Sequence, residues 1–222
     1  MPQQEQTRWR RRKEARPAEI VEAALACFNE RGFAATRLEE VAARAGVTKG
    51  TIYLYYPSKE DLFKAVVRRE LAPNLEHLET LLAEPIAATV LLQRLVMTLE
   101  AVVASRLSVI PKLVFAEAGN FPELARFYLD TIVNPGRDLM ATILRRGIEQ
   151  GEFRPVDVDH VVYCVIGPLL FTALWKHSLG PHDDRPLDTS AVFRDHLDLL
   201  LHGLQEQGPR PAPRPCAERK LP

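Results

Sequence analysis

The chain has 222 residues, 46% of them hydrophobic, 26% charged and 7% aromatic, which suits one or two compact domains and excludes collagen-like, mucin-like and wholly disordered classes. Lys plus Arg and Asp plus Glu both number 29, so the total charge favours no polyanionic partner. Its distribution does: residues 1–70 carry 14 basic against 10 acidic side chains, net +4, and the remaining 152 carry 15 against 19, net −4, which directs any polyanion to the N-terminal third.

Residues 1–16 are polar and basic and read as a disordered arm. Its Arg8-Trp9-Arg10-Arg11-Arg12-Lys13 run suits either a phosphate backbone or bulk solvent. No apolar stretch follows these basic residues, so the start does not read as a secretory signal. Pro17 suits the first position of a helix, and Ile20, Val21, Ala24, Leu25 and Phe28 recur at helical spacing until Gly32 stops it. Thr36-Arg37-Leu38-Glu39 has the form of a capping box for a short second helix with Leu38, Val41, Ala42 and Ala45 on one face. Gly46 supplies the positive φ of a tight turn. Thr48 caps a third helix from Lys49 to about Tyr55, which Pro57 closes. Ser58-Lys59-Glu60-Asp61 opens a fourth, with Leu62, Phe63, Val66 and Val67 inward.

Beyond residue 70 the helices are longer and more apolar, broken at Pro73 and Pro85 and expected over 86–106, 111–118, 122–150, 158–178 and 189–206. Asn134-Pro135-Gly136 should interrupt the 122–150 segment. The longest apolar run, Val161 to Trp175, is 15 residues. That is short of the roughly 18 a membrane span needs, so it reads as a buried helix. Residues 208–222 (GPRPAPRPCAERKLP) hold five of the 17 prolines and read as a disordered tail. Cys27, Cys164 and Cys216 include no C-x-x-C pair, so neither a disulfide framework nor a metal site is expected, and a reducing cytoplasm is the expected compartment.

Two short helices around Gly46 have the dimensions of a helix-turn-helix. LEEVAARAGVTKGTIYLYYPSKEDLF, residues 38–63, resembles the DNA-binding signature of the TetR family of one-component transcriptional regulators, with the Ala-Gly-Val turn, Gly50-Thr51, Tyr53, Tyr56 and Ser58-Lys59-Glu60 in register. The resemblance implies an all-α fold. Residues 17–62 would form a three-helix helix-turn-helix DNA-binding domain, joined by the fourth helix to a larger ligand-binding and dimerisation domain over 63–207. Tyr56 before Pro57 stands where the family more often has phenylalanine.

For a recognition helix, Thr48 and the amides after it sit where the helix dipole favours a phosphate. Lys49 can reach guanine or phosphate, Gly50 permits close backbone approach, and Thr51 supplies a hydroxyl. The resemblance further implies that Tyr53 touches the phosphate backbone, that Tyr55 sits at a base or backbone position, that Lys59 holds a phosphate, and that Thr36 and Arg37 contact the backbone across the groove. Thr36, Thr48 and Ser58 are equally good helix caps in any protein, whereas Ile52, Leu54 and Tyr56 are expected in the core.

The same resemblance assigns dimerisation and ligand sensing to the C-terminal helices. Val162, Ile166, Leu170 and Leu174, with Phe193, Leu197, Leu200 and Leu204, are expected to form a four-helix bundle across a two-fold axis. Glu100, Phe115, Glu117, Phe121, Tyr128, Phe171 and Trp175 are candidate lining residues of a ligand cavity, each also compatible with plain packing. The implied function is a homodimeric repressor that binds a palindromic double-stranded DNA operator and is released by a small apolar or amphipathic effector. No cofactor, metal or membrane is expected. The six histidines have no ligand spacing, and no hydrolase or nucleotide-binding motif is present, which argues against an enzyme. A helical adaptor that binds only protein is the remaining alternative; it leaves the register of Lys49, Thr51, Tyr53 and Lys59 unexplained.

Overall fold

The computed structural model describes residues 2–205, with side chains from Arg16 onward. Among the described residues every regular element is helical: α1 (Pro2–Arg31), α2 (Leu38–Arg44), α3 (Lys49–Tyr55), α4 (Lys59–Glu70), α5 (Ala72–Leu82), α6 (Ala88–Ala104), α7 (Val109–Glu117), α8 (Pro122–Tyr128), α9 (Asn134–Glu149), α10 (Val158–His177) and α11 (Thr189–Leu204). The expected all-α architecture is what is found.

The first element differs from expectation. Helix α1 begins at Pro2 and passes through Pro17, so residues 2–16 are helical rather than a disordered arm. From Gln3 to Ala15 the chain consists mostly of Gln, Glu, Arg, Lys and Ala, which are strong helix formers, and Pro17 removes one amide donor without ending the helix. The proline-rich segment 208–222, with Cys216, lies outside the described residues.

The stops and starts of the next helices follow local chemistry. Gly32 closes α1 at φ 79° and Gly46 makes the turn between α2 and α3 at φ 64°, conformations that a Cβ makes costly. The cap of α2 is Arg37 and not Thr36: the Arg37 amide donates to the Glu40 carboxylate at 3.4 Å. Thr36 is buried, and its hydroxyl lies 2.6 Å from the Gly32 carbonyl and 3.2 Å from that of Cys27. Thr48 and Ser58 cap α3 and α4 as expected, accepting from the amides of Thr51 at 3.2 Å and Asp61 at 3.0 Å.

A first core joins these helices. Phe28, Phe33 and Phe63 are fully buried with ring centroids 5.5–5.6 Å apart, and truncating one such side chain typically costs about 3–5 kcal/mol. Val109, Ile110, Leu113 and Val114 of α7 and Leu124 and Tyr128 of α8 belong to the same core. It therefore extends across the 62/63 boundary expected between domains. A second core fills the space among α5, α6, α9 and α10 with Leu78, Leu91, Leu92, Leu95, Leu139, Ile143, Leu144 and Val165. A smaller third gathers Val96, Val103, Leu169, Ala173 and Phe193.

The break expected at Asn134-Pro135-Gly136 is a single widened π turn, Leu129–Val133, followed by α9 with Pro135 in its first turn. Proline has no amide to donate there, and the wider turn accommodates the missing hydrogen bond. Helix α10 has 20 residues and by length and composition alone could cross a membrane; here it packs against α6, α7, α9 and α11 of its own chain.

Candidate nucleic-acid interface

Helix α3 rests on the first core through Ile52, which is completely buried, and turns the opposite side to solvent. Lys49, Gly50, Tyr53 and Leu54 are exposed on it. Tyr53 is 46% and Leu54 82% accessible. Leu54 corrects the expectation that it would be core: at one position past Tyr53 it stands about 100° further around the helix from the buried side, and an apolar residue so exposed on a seven-residue helix is a candidate contact that patterning missed. Tyr55, two positions from Tyr53, packs against the first core and is half-buried. Tyr56 is also half-buried, and its hydroxyl donates to the Pro17 carbonyl at 3.3 Å.

The polar groups at the start of α3 form a compact set. The Thr48 and Thr51 hydroxyls are 2.9 Å apart. The Lys49 ammonium lies 2.6 Å from the Glu39 carboxylate of α2 and 5.6 Å from the Tyr53 ring centre. The Lys49 hydrogen bond holds the Glu39 carboxyl below the ordinary carboxylate range, and the same bond raises the lysine. Both remain charged at neutral pH. At Gly50 an added Cβ would meet only the Thr48 hydroxyl at 3.8 Å, so nothing within the chain requires glycine there. The requirement, where one exists, comes from outside.

Two of the expected DNA contacts are turned to other work. Thr36 is inside the α1–α2 loop, with its hydroxyl committed to backbone carbonyls; a buried polar group stays where it is satisfied. The Lys59 ammonium donates to the carbonyls of Phe33 at 2.8 Å, Ala34 at 2.9 Å and Thr36 at 3.2 Å, which occupies all three of its N–H bonds, and it sits 4.7 Å from the Phe33 ring centre. In this structure it braces that loop. Arg37 is exposed beside it.

The loop is also held from the sensor side. The buried Glu117 carboxylate of α7 accepts from the Ala34 amide at 3.2 Å and from the Asn120 side chain at 3.2 Å. The Phe121 ring meets Phe33 edge-on at 5.1 Å. Arg106 pairs with Glu22 of α1 at 2.9 Å and Glu70 of α4 at 3.4 Å, and Arg68 lies 4.7 Å from the Phe127 ring centre. Glu117, Phe121 and Tyr128, expected to line a cavity, thus belong to the junction and its core.

Phe115 and Phe171 are 59% and 58% exposed, which corrects both as lining residues. Trp175 is half-buried with its ring 5.7 Å from Phe171. Glu100 is half-buried on α6 and makes no hydrogen bond or ion pair among the described residues. The expected dimer contacts divide. Val162, Phe193 and Leu204 are buried within the chain, whereas Ile166, Leu197 and Leu200 pack at the edges of its cores. Leu170 and Leu174 share the outer side of α10 with exposed Tyr163, Gly167 and Phe171, and Leu199 is 71% exposed on α11. Helix α10 is apolar around its whole circumference, so its sequence pattern does not say which side is outward.

Residues 20–66 match the family described as bacterial regulatory proteins, tetR family, and residues 91–191 match the tetracyclin repressor-like C-terminal domain. The HTH-type transcriptional repressor KstR2 of Mycobacterium tuberculosis is 28% identical over 197 residues, 87% of this chain and 95% of the relative. The uncharacterized HTH-type transcriptional regulator YfiR of Bacillus subtilis is 30% identical over 146 residues, 65% of this chain and 71% of the relative. The crystal structure of the transcriptional regulator FadR from Bacillus subtilis in complex with stearoyl-CoA superposes with a TM-score of 0.71 at 24% identity, covering 85% of this chain and 99% of that one.

Proposed function

This chain belongs to the TetR family of bacterial regulatory proteins, and from that premise we propose that it is a cytoplasmic, homodimeric repressor that binds a palindromic operator and leaves it when a small apolar or amphipathic molecule enters the helical domain. The observation that carries the reading is the outward side of α3, where Lys49, Gly50, Tyr53 and Leu54 are presented together on a rigidly anchored short helix. Lysine reads guanine or a phosphate, and Leu54 suits the methyl group of thymine. Arg37 adds a cation from the N-cap of α2.

Two copies are needed because one short helix covers half a site; half-sites in successive major grooves are about 34 Å apart. Tyr163, Leu170, Phe171 and Leu174 on α10, with Leu199 on α11, form the surface we assign to the two-fold interface. An apolar side chain left in water on one helix gains by meeting its own copy. The effector belongs in the helical domain, where α5, α6, α9 and α10 meet in an apolar core that would have to open to admit it, and Glu100 on α6 is a half-buried carboxylate without a protein partner. The stearoyl-CoA in the FadR structure supports an apolar molecule with a polar end.

Release follows if the effector favours a conformation in which the recognition helices no longer match the half-site spacing. The contacts of Glu117 with Ala34, Phe121 with Phe33 and Arg106 with Glu22 and Glu70 are the physical link between the two events.

The test is selection of bound duplexes from a random pool by the purified protein, repeated with a Lys49→Ala, Tyr53→Ala variant. A recovered palindrome, bound by a dimer and lost in the variant, is the expected result. Retention of duplexes with only a steep salt dependence and no enriched sequence would overturn sequence-specific repression.

A further inference from the structure

Glu39 stands out on the DNA-facing side because it is an anion where a polyanion is to bind. Two neighbouring carboxylates are paired away from α3: Glu40 bonds Arg31 at 2.8 Å and Glu30 bonds Arg44 at 2.7 Å. Glu39 instead crosses to the next helix and takes the first cation of the recognition helix, Lys49, at 2.6 Å. Both side chains are open to solvent, at 57% and 45%. Such a pair adds little to folding, and although a carboxylate in the first turn of α2 suits the helix dipole, that accounts for its position and not for its reach to Lys49.

Its effect on binding is larger. A lysine at the start of α3 has a flexible four-carbon stem and a compact charge. Left alone it satisfies itself on the nearest phosphate, and phosphates are the same in every sequence. Held by Glu39 on one side and laid over the Tyr53 ring at 5.6 Å on the other, the ammonium is kept from wandering to a backbone oxygen. A site that offers a base acceptor in the right place then competes on geometry, whereas a site that offers phosphate alone must displace a carboxylate and endure its charge.

We infer that Glu39 is a specificity-determining positioning residue, which acts through Lys49 to disfavour binding to arbitrary duplex while leaving the operator's base contact open. The inference rests on the reading of α3 as the recognition helix. The pair is a form of discrimination by penalty: the wrong partner is made worse rather than the right one better.

The experiment compares the full chain with Glu39→Gln, Lys49→Ala and the double variant on two duplexes, the selected palindrome and a scramble of equal composition, across a salt series. The Gln variant keeps the side-chain length and a hydrogen-bond acceptor but loses the charge. Glu39→Gln should tighten the scramble at least five-fold and lower the palindrome-to-scramble preference by a similar factor. The slope of log affinity against log salt on the scramble should steepen by about 0.9, the value of one added phosphate contact. In the Lys49→Ala background the same substitution should change the preference by less than two-fold. Equal tightening on both duplexes, or an undiminished effect without Lys49, would mean that Glu39 acts as bulk charge and would overturn the inference. If the parent protein selects no palindrome at all, the reading of α3 fails first, and with it the basis for this one. Unchanged thermal unfolding of each variant separates these outcomes from loss of fold.

Discussion

Ala34 is held from two sides, its amide donating to the Glu117 carboxylate at 3.2 Å and its carbonyl accepting from the Lys59 ammonium at 2.9 Å. Glu117 belongs to α7 of the sensor region and Lys59 to the first turn of α4. The stretch from Phe33 to Thr36 is therefore tied to both, and any shift of α7 pulls on the loop that enters α2. Packed elements with discrete contacts transmit such shifts better than flexible ones.

Glu117→Ala should remove the acceptor for the Ala34 amide and cost about 1–2 kcal/mol of stability. The Ala34 amide should also exchange with solvent faster, while amides in the middle of α10 keep their protection. Hydrogen exchange measured residue by residue checks both. Unaltered exchange at Ala34 would show that the carboxylate does not hold the loop.

Lys59→Ala should behave as the loss of a brace. About 1.5 kcal/mol of stability should go, the low end for a charged donor because the ammonium is partly solvated, and the salt slope of DNA binding should stay the same. Chemical denaturation and a salt titration on one duplex decide the matter. A slope lower by about 0.9 with stability intact would return Lys59 to the phosphate contacts.

Leu54→Ala should leave stability within about 0.5 kcal/mol of the parent, as for an exposed position away from the core. The preferred base at one operator position should nonetheless relax, most plainly a thymine whose methyl group the leucine covers. Selection of duplexes by the variant, compared with the parent, is the measurement. An identical selected sequence would place Leu54 outside the contact.

Tyr163→Glu, on the outer side of α10, should yield a folded monomer in sedimentation and weaken operator binding with it. Val162→Glu, one position away but buried, should fail to fold, since an unpaired carboxylate in the core has no compensating partner. A dimer that survives both Tyr163→Glu and Phe171→Glu would move the interface elsewhere.

Glu152 gives a pH-dependent contribution. Partial burial pushes its carboxyl up, but the amides of Thr89 and Ala88, which donate to it at 2.9 and 2.8 Å, together with the Thr89 side chain and the charge of Arg146, outweigh that and hold it below the ordinary range. A folded-state value below the unfolded one of about 4.3 means that the stabilisation is present above that pH and is lost as pH falls through the folded value. Glu152→Gln should therefore be less stable than the parent by about 1 kcal/mol at pH 7, as for other lost helix caps, with the gap narrowing as pH falls below the unfolded value toward the depressed folded one. Urea titrations at pH 7 and pH 3.5 measure the gap; a constant gap would exclude the charge as its source.

The chain's own residues were enough to place most helices, because their ends are local events. Gly32 and Gly46 take positive φ, and Thr48 and Ser58 cap the helices that follow them. The register of Lys49, Gly50 and Tyr53 was legible for the same reason: a short helix with one buried residue, Ile52, leaves the others outward. Reading failed where a residue's role depends on what another helix brings to it. Lys59 and Thr36 have the right type for phosphate contacts, but carbonyls of the α1–α2 loop claim them first. Glu117 and Phe121 have the residue types and apolar setting of cavity residues, but α7 and α8 lie on the DNA-binding core. On α10 the pattern is apolar on every side, so only packing against α6, α7, α9 and α11 decides that Val162 is inside and Tyr163 outside. Local backbone preferences act within a few residues and can be read along the chain; the partner of a long polar side chain, or the exposed side of a uniformly apolar helix, exists only once distant segments have met.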